Sequence, residues 1–253
     1  MRPKDFYDDL AANYHLIFED WEASMARQAA ALAPILEREC GPPGTTQVLD
    51  CVCGIGTQTL GLAQRGFRMT ATDASSSAVA RARREAASRA LPIEFAVANM
   101  LDLGQLPNAS FDAVICMDNA LCHLDNAEEL TQAAAQIRNK LKPGGAFLAS
   151  IRDYDQIIHQ KPVVQGPSFF GSYGRRRIAH QLWDWLDDRR YVLHIYLTVE
   201  AAGRWDAHHY ATTCRTILRA EFDQVLQRVG FTATRWLFPA DTGFYQPIVI
   251  ARV

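Results

Sequence analysis

The sequence has neither an excess of one charge nor a long apolar run. Its 253 residues include 26 Lys and Arg against 28 Asp and Glu, a formal net charge of −2. This balance gives no overall field that would attract nucleic acid or an anionic membrane. No apolar run approaches the roughly 20 residues that cross a bilayer, and the start MRPKDFYDDL is too polar for a secretory signal. We therefore expect a cytoplasmic protein that binds a small molecule, with neither nucleic acid nor membrane as a partner.

Metal-ligand patterns are missing as well. The seven histidines form no HExxH, and the six cysteines form no CxxC pair. Cys51 and Cys53 could face one side of an extended segment, but a zinc site needs about four ligands and no second pair follows. We expect reduced, buried cysteines and no bound metal. The cysteines are Cys40, Cys51, Cys53, Cys116, Cys122 and Cys214.

What is present is an alternation of strand and helix patterns. Apolar residues recur at helical spacing over about residues 9–38 and again between the strands that follow. This order predicts right-handed crossovers and a parallel sheet that is covered on both faces. Residues 175–213 instead alternate as in an antiparallel meander, and a helix and two strands end the chain. The predicted strands of the parallel sheet begin at Val48, Arg68, Ile93, Phe111 and Ala146.

The stretch VLDCVCGIGTQTL (48–60) joins a strand to a helix through a glycine-rich turn. Glycine lets a ligand approach the backbone closely, and the start of a helix offers free N–H groups. About 17 residues after Gly56, Asp73 ends the next strand, where a carboxylate can accept both hydroxyls of a ribose. The turn has neither G-x-G-x-x-G nor a Lys-Ser/Thr pair for phosphates, which weakens the case for a nicotinamide oxidoreductase or a triphosphate-binding protein.

In these segments the sequence resembles the class I S-adenosylmethionine-dependent methyltransferases. VLDCVCGIGTQTL is similar to the family's first motif and TATDAS to its acidic second motif. The segments VANMLDL, FDAVICMDNALCHL and LKPGGAFLASIRDYD follow in the family's order, and the last two are most similar to the glycine N-methyltransferase-like small-molecule methyltransferases. The resemblance implies S-adenosylmethionine as the cofactor and a small-molecule methyl acceptor. It leaves open whether the protein is a homodimer.

The fold that the resemblance implies is α/β, with a Rossmann-like, doubly wound, seven-stranded sheet. We expect a single domain over residues 1–253, built from four parts. The inserted part would lie over the carboxyl ends of the parallel strands, where ligands bind in open α/β sheets. The four parts are an N-terminal helical cover (1–40), a cofactor-binding core (45–152), an antiparallel β meander over the active site (153–215), and a final helix with a strand pair (216–253).

The resemblance also implies which residues contact the cofactor. Asp73 would bind the ribose hydroxyls, and Asn99 and Met100 would flank the adenine. Tyr14 and Trp21 resemble aromatic residues that cover the cofactor, although core packing would explain them equally well. The implied cofactor residues are Tyr14, Trp21, Val52, Cys53, Gly54, Gly56, Asp73, Ala74, Asn99, Met100, Met117 and Asp118, with Tyr7 as a further aromatic residue.

For the acceptor, the glycine-acting members bind the substrate carboxylate with an Asn and an Arg that match Asn119 and Arg152. A guanidinium binds a carboxylate through two charge-assisted hydrogen bonds, whereas a salt bridge to Asp153 or Asp155 is the structural alternative for Arg152. A tyrosine pair of those members falls on Cys214-Arg215. Because Arg215 would add a charge, we include it among the substrate-binding residues and leave open an acceptor that is larger or more acidic than glycine.

Methyl transfer mainly requires that the acceptor's lone pair is aligned with the methyl–sulfur axis. An amine acceptor must also lose a proton, so Asp118 and His123 are candidate catalytic residues, although a histidine at such a position is more often structural. We predict methyl transfer to the amine of a carboxylate-bearing acceptor, similar to glycine or sarcosine or larger. An O- or C-methyltransferase and a non-catalytic S-adenosylmethionine-binding module are the alternatives. The basic run GRRR (174–177) is predicted to be a solvated face.

Overall fold

The computed structural model describes residues 3–253, which form eleven strands and eight α-helices. The strands are β1 (Gln47–Asp50), β2 (Arg68–Asp73), β3 (Glu94–Val97), β4 (Phe111–Cys116), β5 (Leu141–Ser150), β6 (Val164–Phe170), β7 (Arg177–Trp185), β8 (Arg190–Ala201), β9 (Arg204–Arg215), β10 (Ala233–Leu237) and β11 (Ile248–Arg252). The helices are α1 (Pro3–Leu10), α2 (Trp21–Cys40), α3 (Thr57–Gln64), α4 (Ser76–Ser88), α5 (Ala127–Lys140), α6 (Tyr154–Gln160), α7 (Arg219–Arg228) and α8 (Pro239–Thr242). No helix within residues 3–253 combines the length and the apolar character that a membrane span requires.

Seven of these strands form the main sheet, in the order β10, β11, β5, β4, β1, β2, β3. Strands β1 to β5 pair with one another in parallel, and β11 and β10 extend the sheet at one edge in antiparallel pairing. The predicted seven-stranded α/β sheet is therefore confirmed. Because β11 runs against β5, the segment that precedes β11 returns to the carboxyl edge of the parallel strands.

Both faces of the main sheet are buried, because successive residues of a strand point to opposite sides. On one face, Leu49 of β1 and Val114 of β4 lie in an apolar cluster with Phe222 of α7. On the other face, Val48 and Ile115 lie in a cluster with residues of α2. The two helical layers hold the strands rigidly and leave their carboxyl ends at one common edge.

The amino-terminal region is not one continuous helix over residues 9–38 as the sequence predicts. It is interrupted after Leu10, and a new helix begins at Trp21 because the Asp20 carboxylate accepts the Ala23 N–H at 2.9 Å. The interruption lets α1 lie against α4 while α2 packs against the main sheet. The chain between these helices crosses the carboxyl edge of the sheet and includes a short 3₁₀ helix.

Strands β6 to β9 form a separate antiparallel sheet, in which β7, β8 and β9 match the predicted meander. Strand β6 and helix α6 were not predicted. Strand β6 contains Gly166 and Pro167 and is almost wholly exposed, so it has no alternating apolar pattern. The inner face of this sheet packs against α1 through Trp183, Tyr191 and Phe6. The meander and the amino-terminal cover therefore meet beside the carboxyl edge of the main sheet.

Candidate active site

A cavity of about 470 Å³ opens at the carboxyl edge of the main sheet, between the turns after β1, β2 and β4 and the amino-terminal segment. Ligands bind at this edge in open α/β folds. The structure brings together here most of the residues that were predicted to contact a cofactor. Those that line the cavity are Tyr14, Val52, Cys53, Gly54, Asp73, Ala74, Asn99, Met100, Met117 and Asp118, together with Tyr7 and His123.

Two glycines shape the turn between β1 and α3. Gly54 and Gly56 have φ angles of +53° and +98°, in the left-handed region that glycine adopts without steric cost. The Cβ of a larger residue at position 54 would lie 3.8 Å from the Tyr14 ring, inside the gap between the turn and its aromatic cover. Gly56 differs from the prediction, because it shapes the start of α3 and does not itself line the cavity.

Asp73 ends β2 with its carboxylate in the cavity. One carboxylate oxygen accepts the Gly54 N–H and the other accepts the Ser75 N–H, each at 2.8 Å. Burial raises the pKa of Asp73, and these backbone N–H groups oppose that rise. A carboxylate offers about four acceptor positions, so Asp73 retains capacity for the hydroxyl groups of a ligand.

Asp118 lies where this cavity meets a second one, and it lines both. Its carboxylate accepts hydrogen bonds from Tyr245 (2.5 Å) and Tyr14 (3.5 Å), and its N–H donates to Ser150 Oγ (2.7 Å). Its φ of +58° is a left-handed conformation that surrounding contacts must stabilise. Burial raises the pKa of Asp118, while its hydrogen bonds and the positive charge of Arg152 oppose the rise. Asp118 can therefore accept a proton or bind a cationic amine between the two cavities.

The second cavity, of about 540 Å³, lies beside α6 and β7, and Arg152 is its basic residue. The Arg152 guanidinium lies 4.4 Å from the centre of the Trp183 ring and donates to Gln181 Oε1 at 3.3 Å. The aromatic ring and the amide fix the plane of the guanidinium. A planar carboxylate is the ligand that this geometry suits best.

Arg152 forms no ion pair within residues 3–253. Asp153 and Asp155, the acidic neighbours that were the alternative partners, pair with Arg219 at 2.5 and 3.6 Å. Arg152 is mostly buried, and a buried charge is costly unless an opposite charge or strong hydrogen bonds compensate it. The second cavity therefore presents a cation that no carboxylate of residues 3–253 contacts directly, while Asp118 in the same cavity interacts with it at longer range.

Asn119 differs from the prediction that its side chain binds the substrate. Its side chain is only 6% exposed, and among the described residues it is not one of those that line either cavity. Its Nδ2 donates to Tyr154 (2.9 Å), and its Oδ1 accepts the Arg152 N–H (3.1 Å). Tyr154 is hydrogen-bonded to Tyr191 (3.0 Å), whose ring stacks on Trp183. Asn119 thus holds the backbone of Arg152 from the buried side, away from the cavity.

Trp21 and Arg215 are also not among the described residues that line the two cavities. Trp21 is buried and its Nε1 donates to Thr57 Oγ1 at 2.9 Å, which places its side chain in the core at the start of α3. Arg215, at the end of β9, is buried and binds Glu221 of α7 at 2.6 Å. Its charge is therefore neutralised inside the protein and does not add a basic group for the acceptor.

The prediction of a solvated face over residues 174–177 is wrong for Arg177. Its guanidinium donates to the carbonyl oxygens of Leu16 (3.1 Å), Phe18 (2.8 Å) and Glu19 (2.8 Å). These three acceptors belong to the chain between α1 and α2. Arg177 therefore holds the meander to the segment that covers the first cavity.

His123 lies beside two thiols at the end of the cavity. Its Nε2 is 2.9 Å from the Tyr7 hydroxyl, and burial lowers the pKa of His123 to about 4. Cys122 Sγ and Cys214 Sγ are 2.9 Å apart, and with His123 they form a group of potential metal ligands. Arg152 interacts electrostatically with both thiols. That positive charge disfavours a bound cation, so we assign no metal to the group.

Comparisons with known proteins agree with this geometry. Residues 48–145 match the family model described as a methyltransferase domain. The chain is 31% identical over 180 residues to glycine N-methyltransferase of Rattus norvegicus, which is 66% of this chain and 60% of that protein. It is 29% identical over 146 residues to glycine/sarcosine N-methyltransferase of Parasynechococcus marenigrum, which is 58% of this chain and 50% of that protein. Together these similarities support a class I S-adenosylmethionine-dependent methyltransferase.

A solved structure shows the same fold over most of the chain. The sugar N-methyltransferase of a Streptoalloteichus species aligns with a TM-score of 0.77 over 94% of this chain and 92% of that one, at 15% sequence identity. The alignments with the two glycine N-methyltransferases are less complete, since this chain spans only 50% to 60% of the length of those proteins.

The family's cofactor is S-adenosylmethionine, and the residues of the first cavity suit it. Asp73 retains acceptor capacity for ribose hydroxyls, and Asn99 and Met100 line the cavity on the adenine side. Gly54 lines the cavity with backbone alone, and a Cβ at position 54 would contact the Tyr14 ring. We name the first cavity the cofactor cavity and the second one the acceptor cavity.

Four residues in or beside the candidate site were not predicted from the sequence. Asp50 lies buried under the glycine turn, where it accepts the Thr59 hydroxyl at 2.6 Å, and burial raises its pKa to about 7. Gln181 and Trp183 orient Arg152 but belong to no local motif. Tyr245 could have been found from the sequence. The loop before a final antiparallel strand must return to the carboxyl edge of the sheet, where ligands bind, and Tyr245 lies in that loop.

Proposed function

We propose that this methyltransferase transfers the methyl group of S-adenosylmethionine to the amine of a small acceptor that carries a carboxylate. One observation carries the proposal: Arg152 is mostly buried, faces the acceptor cavity, and has no carboxylate partner within residues 3–253. An acceptor carboxylate could form two charge-assisted hydrogen bonds with the guanidinium. Such a ligand would supply the direct ion pair that Asp118, at longer range, does not form with Arg152.

Asp118 supports an amine as the group that is methylated. When bound, S-adenosylmethionine supplies a methyl group on a positively charged sulfur. An amine lone pair can attack this methyl carbon, with the sulfur as the leaving group. An amine arrives as a cation, which the Asp118 carboxylate attracts at the junction of the two cavities. Burial raises the pKa of Asp118, which makes the carboxylate a better acceptor for the proton that the amine must lose. Tyr245 and Tyr14 hold the carboxylate in place.

His123 is the weaker candidate for that proton transfer. Its pKa is lowered to about 4, so it is neutral at physiological pH but is a poor base. Its Nε2 is occupied by the Tyr7 hydroxyl. We therefore propose Asp118 as the catalytic residue and His123 as a residue that holds the amino-terminal cover.

The relatives' names agree with an amine acceptor. The two similar curated proteins are named as methyltransferases of glycine, or of glycine and sarcosine, at nitrogen. The structural neighbour is named as an N-methyltransferase of a sugar. Of these acceptors, the amino acids carry the carboxylate that Arg152 would bind, which favours an amino acid over an amino sugar for this chain.

The proposal is tested by methyl transfer from isotopically labelled S-adenosylmethionine to amino acids and to the matching amines without the carboxylate. We expect N-methyl amino acids as products, with kcat/KM at least about tenfold higher than for the decarboxylated amines. An O- or C-methylated product would support those alternative methyltransferases. Tight cofactor binding without turnover of any amine would support a non-catalytic module.

A further inference from the structure

The acceptor cavity is as large as the cofactor cavity. Their volumes are about 540 and about 470 Å³. The cofactor cavity has to take a nucleoside joined to an amino acid. An acceptor without a side chain would occupy only the part of the acceptor cavity between Arg152 and Asp118 and would leave most of the remaining volume to water.

The wall beyond Arg152 and Asp118 is mainly apolar. The residues that line it are Ile17 and Phe18 of the amino-terminal segment, Ile157 of α6, Pro162 of the loop before β6, and Pro239 of α8. These side chains are half-buried or exposed, so a ligand could cover them. Burying apolar surface of both ligand and protein stabilises the complex.

The remaining polar groups of this wall are largely engaged within the protein. Gln246 is buried and accepts the Ser150 hydroxyl at 2.8 Å, and Asp153 pairs with Arg219 at 2.5 Å. Among the described residues that line the cavity, Arg152 is the only basic one. The wall therefore offers no second cation for an acceptor with an additional carboxylate.

We infer that the acceptor is an α-amino acid with a bulky apolar or aromatic side chain, and that glycine is a poor acceptor. This inference rests on the proposed function, because it needs the carboxylate on Arg152 and the amine at Asp118. The side chain then extends along Phe18 and Ile157. The cavity selects for size because a small acceptor forgoes the apolar contacts that would hold its amine in line with the methyl group.

The first experiment measures kcat/KM of the wild-type protein for glycine, leucine, phenylalanine and glutamate. Leucine or phenylalanine should exceed glycine by about tenfold or more, because each buried methylene contributes measurably to discrimination. Glutamate should be no better than glycine, because Arg152 is already used by the α-carboxylate.

The second experiment reduces the cavity with Ile157→Trp and uses Gln156→Trp as its control. Gln156 precedes Ile157 on α6 but is exposed and does not line the cavity that residues 3–253 define. Ile157→Trp should lower kcat/KM for the best bulky acceptor by about tenfold and change that for glycine by less than about threefold. Gln156→Trp should change neither value, and both variants should bind S-adenosylmethionine as the wild type does.

The outcomes separate this inference from the proposed function. If glycine equals or exceeds the bulky amino acids, or if Ile157→Trp lowers all acceptors equally, the inference is wrong and the proposed function stands. If amines without a carboxylate are methylated as well as amino acids, the proposed function fails. The wild-type panel decides the question even if Ile157→Trp does not fold.

Discussion

The cofactor cavity and the acceptor cavity meet at Asp118, but they are built in different ways. The cofactor cavity is formed mainly by the turns after β1, β2 and β4, where the Gly54 N–H donates to the Asp73 carboxylate. The acceptor cavity gathers side chains from distant segments, including Phe18, Trp183 and Tyr245. A site made of backbone turns tolerates sequence change, whereas a site made of scattered side chains can change specificity through a few substitutions.

Asp118→Asn should have the largest effect, because it acts where the two cavities meet. The amide oxygen can still accept the hydrogen bond of one tyrosine, and the amide nitrogen can donate to the hydroxyl oxygen of the other, so the local geometry should persist. The loss of the proton acceptor and of the charge that attracts an amine should lower kcat by about a hundredfold or more. Steady-state kinetics at saturating acceptor measure this loss. A variant with wild-type kcat would show that no base at this position is needed.

Asp73→Ala should affect the cofactor cavity alone. A hydrogen-bonded anionic contact is worth about 1.5–3 kcal/mol, so the Kd for S-adenosylmethionine should rise roughly ten- to a hundredfold. Calorimetric titration measures the Kd, and circular dichroism checks that the variant folds. The KM of the acceptor, measured at saturating cofactor, should stay close to the wild-type value. Unchanged cofactor affinity in the folded variant would contradict the role of Asp73.

Arg177→Gln should affect both cavities moderately, because Arg177 holds the segment that separates them from solvent. Without its bonds to the carbonyl oxygens of Leu16, Phe18 and Glu19, the cover should open more often. We expect S-adenosylmethionine to dissociate about three- to tenfold faster in stopped-flow measurements, since several charge-assisted hydrogen bonds are lost. Arg175→Gln is the matched control, because Arg175 is exposed two residues away. Equal rates in the two variants would show that Arg177 does not secure the cover.

His123→Gln should have the smallest effect, visible mainly in the pH dependence of stability. The pKa of His123 is about 4 in the folded protein against an ordinary value of 6.5. Between these values the unfolded chain binds more protons than the folded one, so the wild type loses stability as the pH falls from about 6.5 to about 4. The variant lacks this contribution. Its thermal midpoint should therefore drop less than that of the wild type between pH 7 and pH 5, and an equal drop would contradict the burial of a neutral His123.

The main sheet could be predicted from the sequence because its strands are short apolar runs between turn residues. The predicted starts at Arg68 and Phe111 coincide with those of β2 and β4. Strand β5 begins earlier than Ala146, because the KPGG segment continues along β4 across an irregularity in the pairing. The prediction of a helix over residues 9–38 was wrong. Apolar residues recur at helical spacing through the segment around Tyr14, but this segment lines the cavity and is not α-helical.

The acceptor cavity could be predicted only in part. Asn119 and Arg152 are adjacent, as the motif resemblance implies, and the Arg152 N–H donates to Asn119 Oδ1. The sequence does not show that this amide faces inward to Tyr154 and away from a ligand. Arg215 was misplaced for a similar reason, since its partner Glu221 lies on α7 and only the folded chain brings the two together.

The central claim, that Arg152 binds the acceptor carboxylate, is tested most directly by Arg152→Lys with the best amino acid and its decarboxylated amine. The lysine keeps the charge but loses the planar pair of donors, so the KM of the amino acid should rise at least about tenfold while the Kd of S-adenosylmethionine stays near the wild-type value. Replacing the amino acid by its decarboxylated amine should lower kcat/KM severely for the wild type and little for Arg152→Lys, because the variant has already lost the interaction with the carboxylate. If both proteins instead lose activity by the same factor on the decarboxylated amine, Arg152 does not bind the carboxylate and the account of the acceptor cavity is wrong.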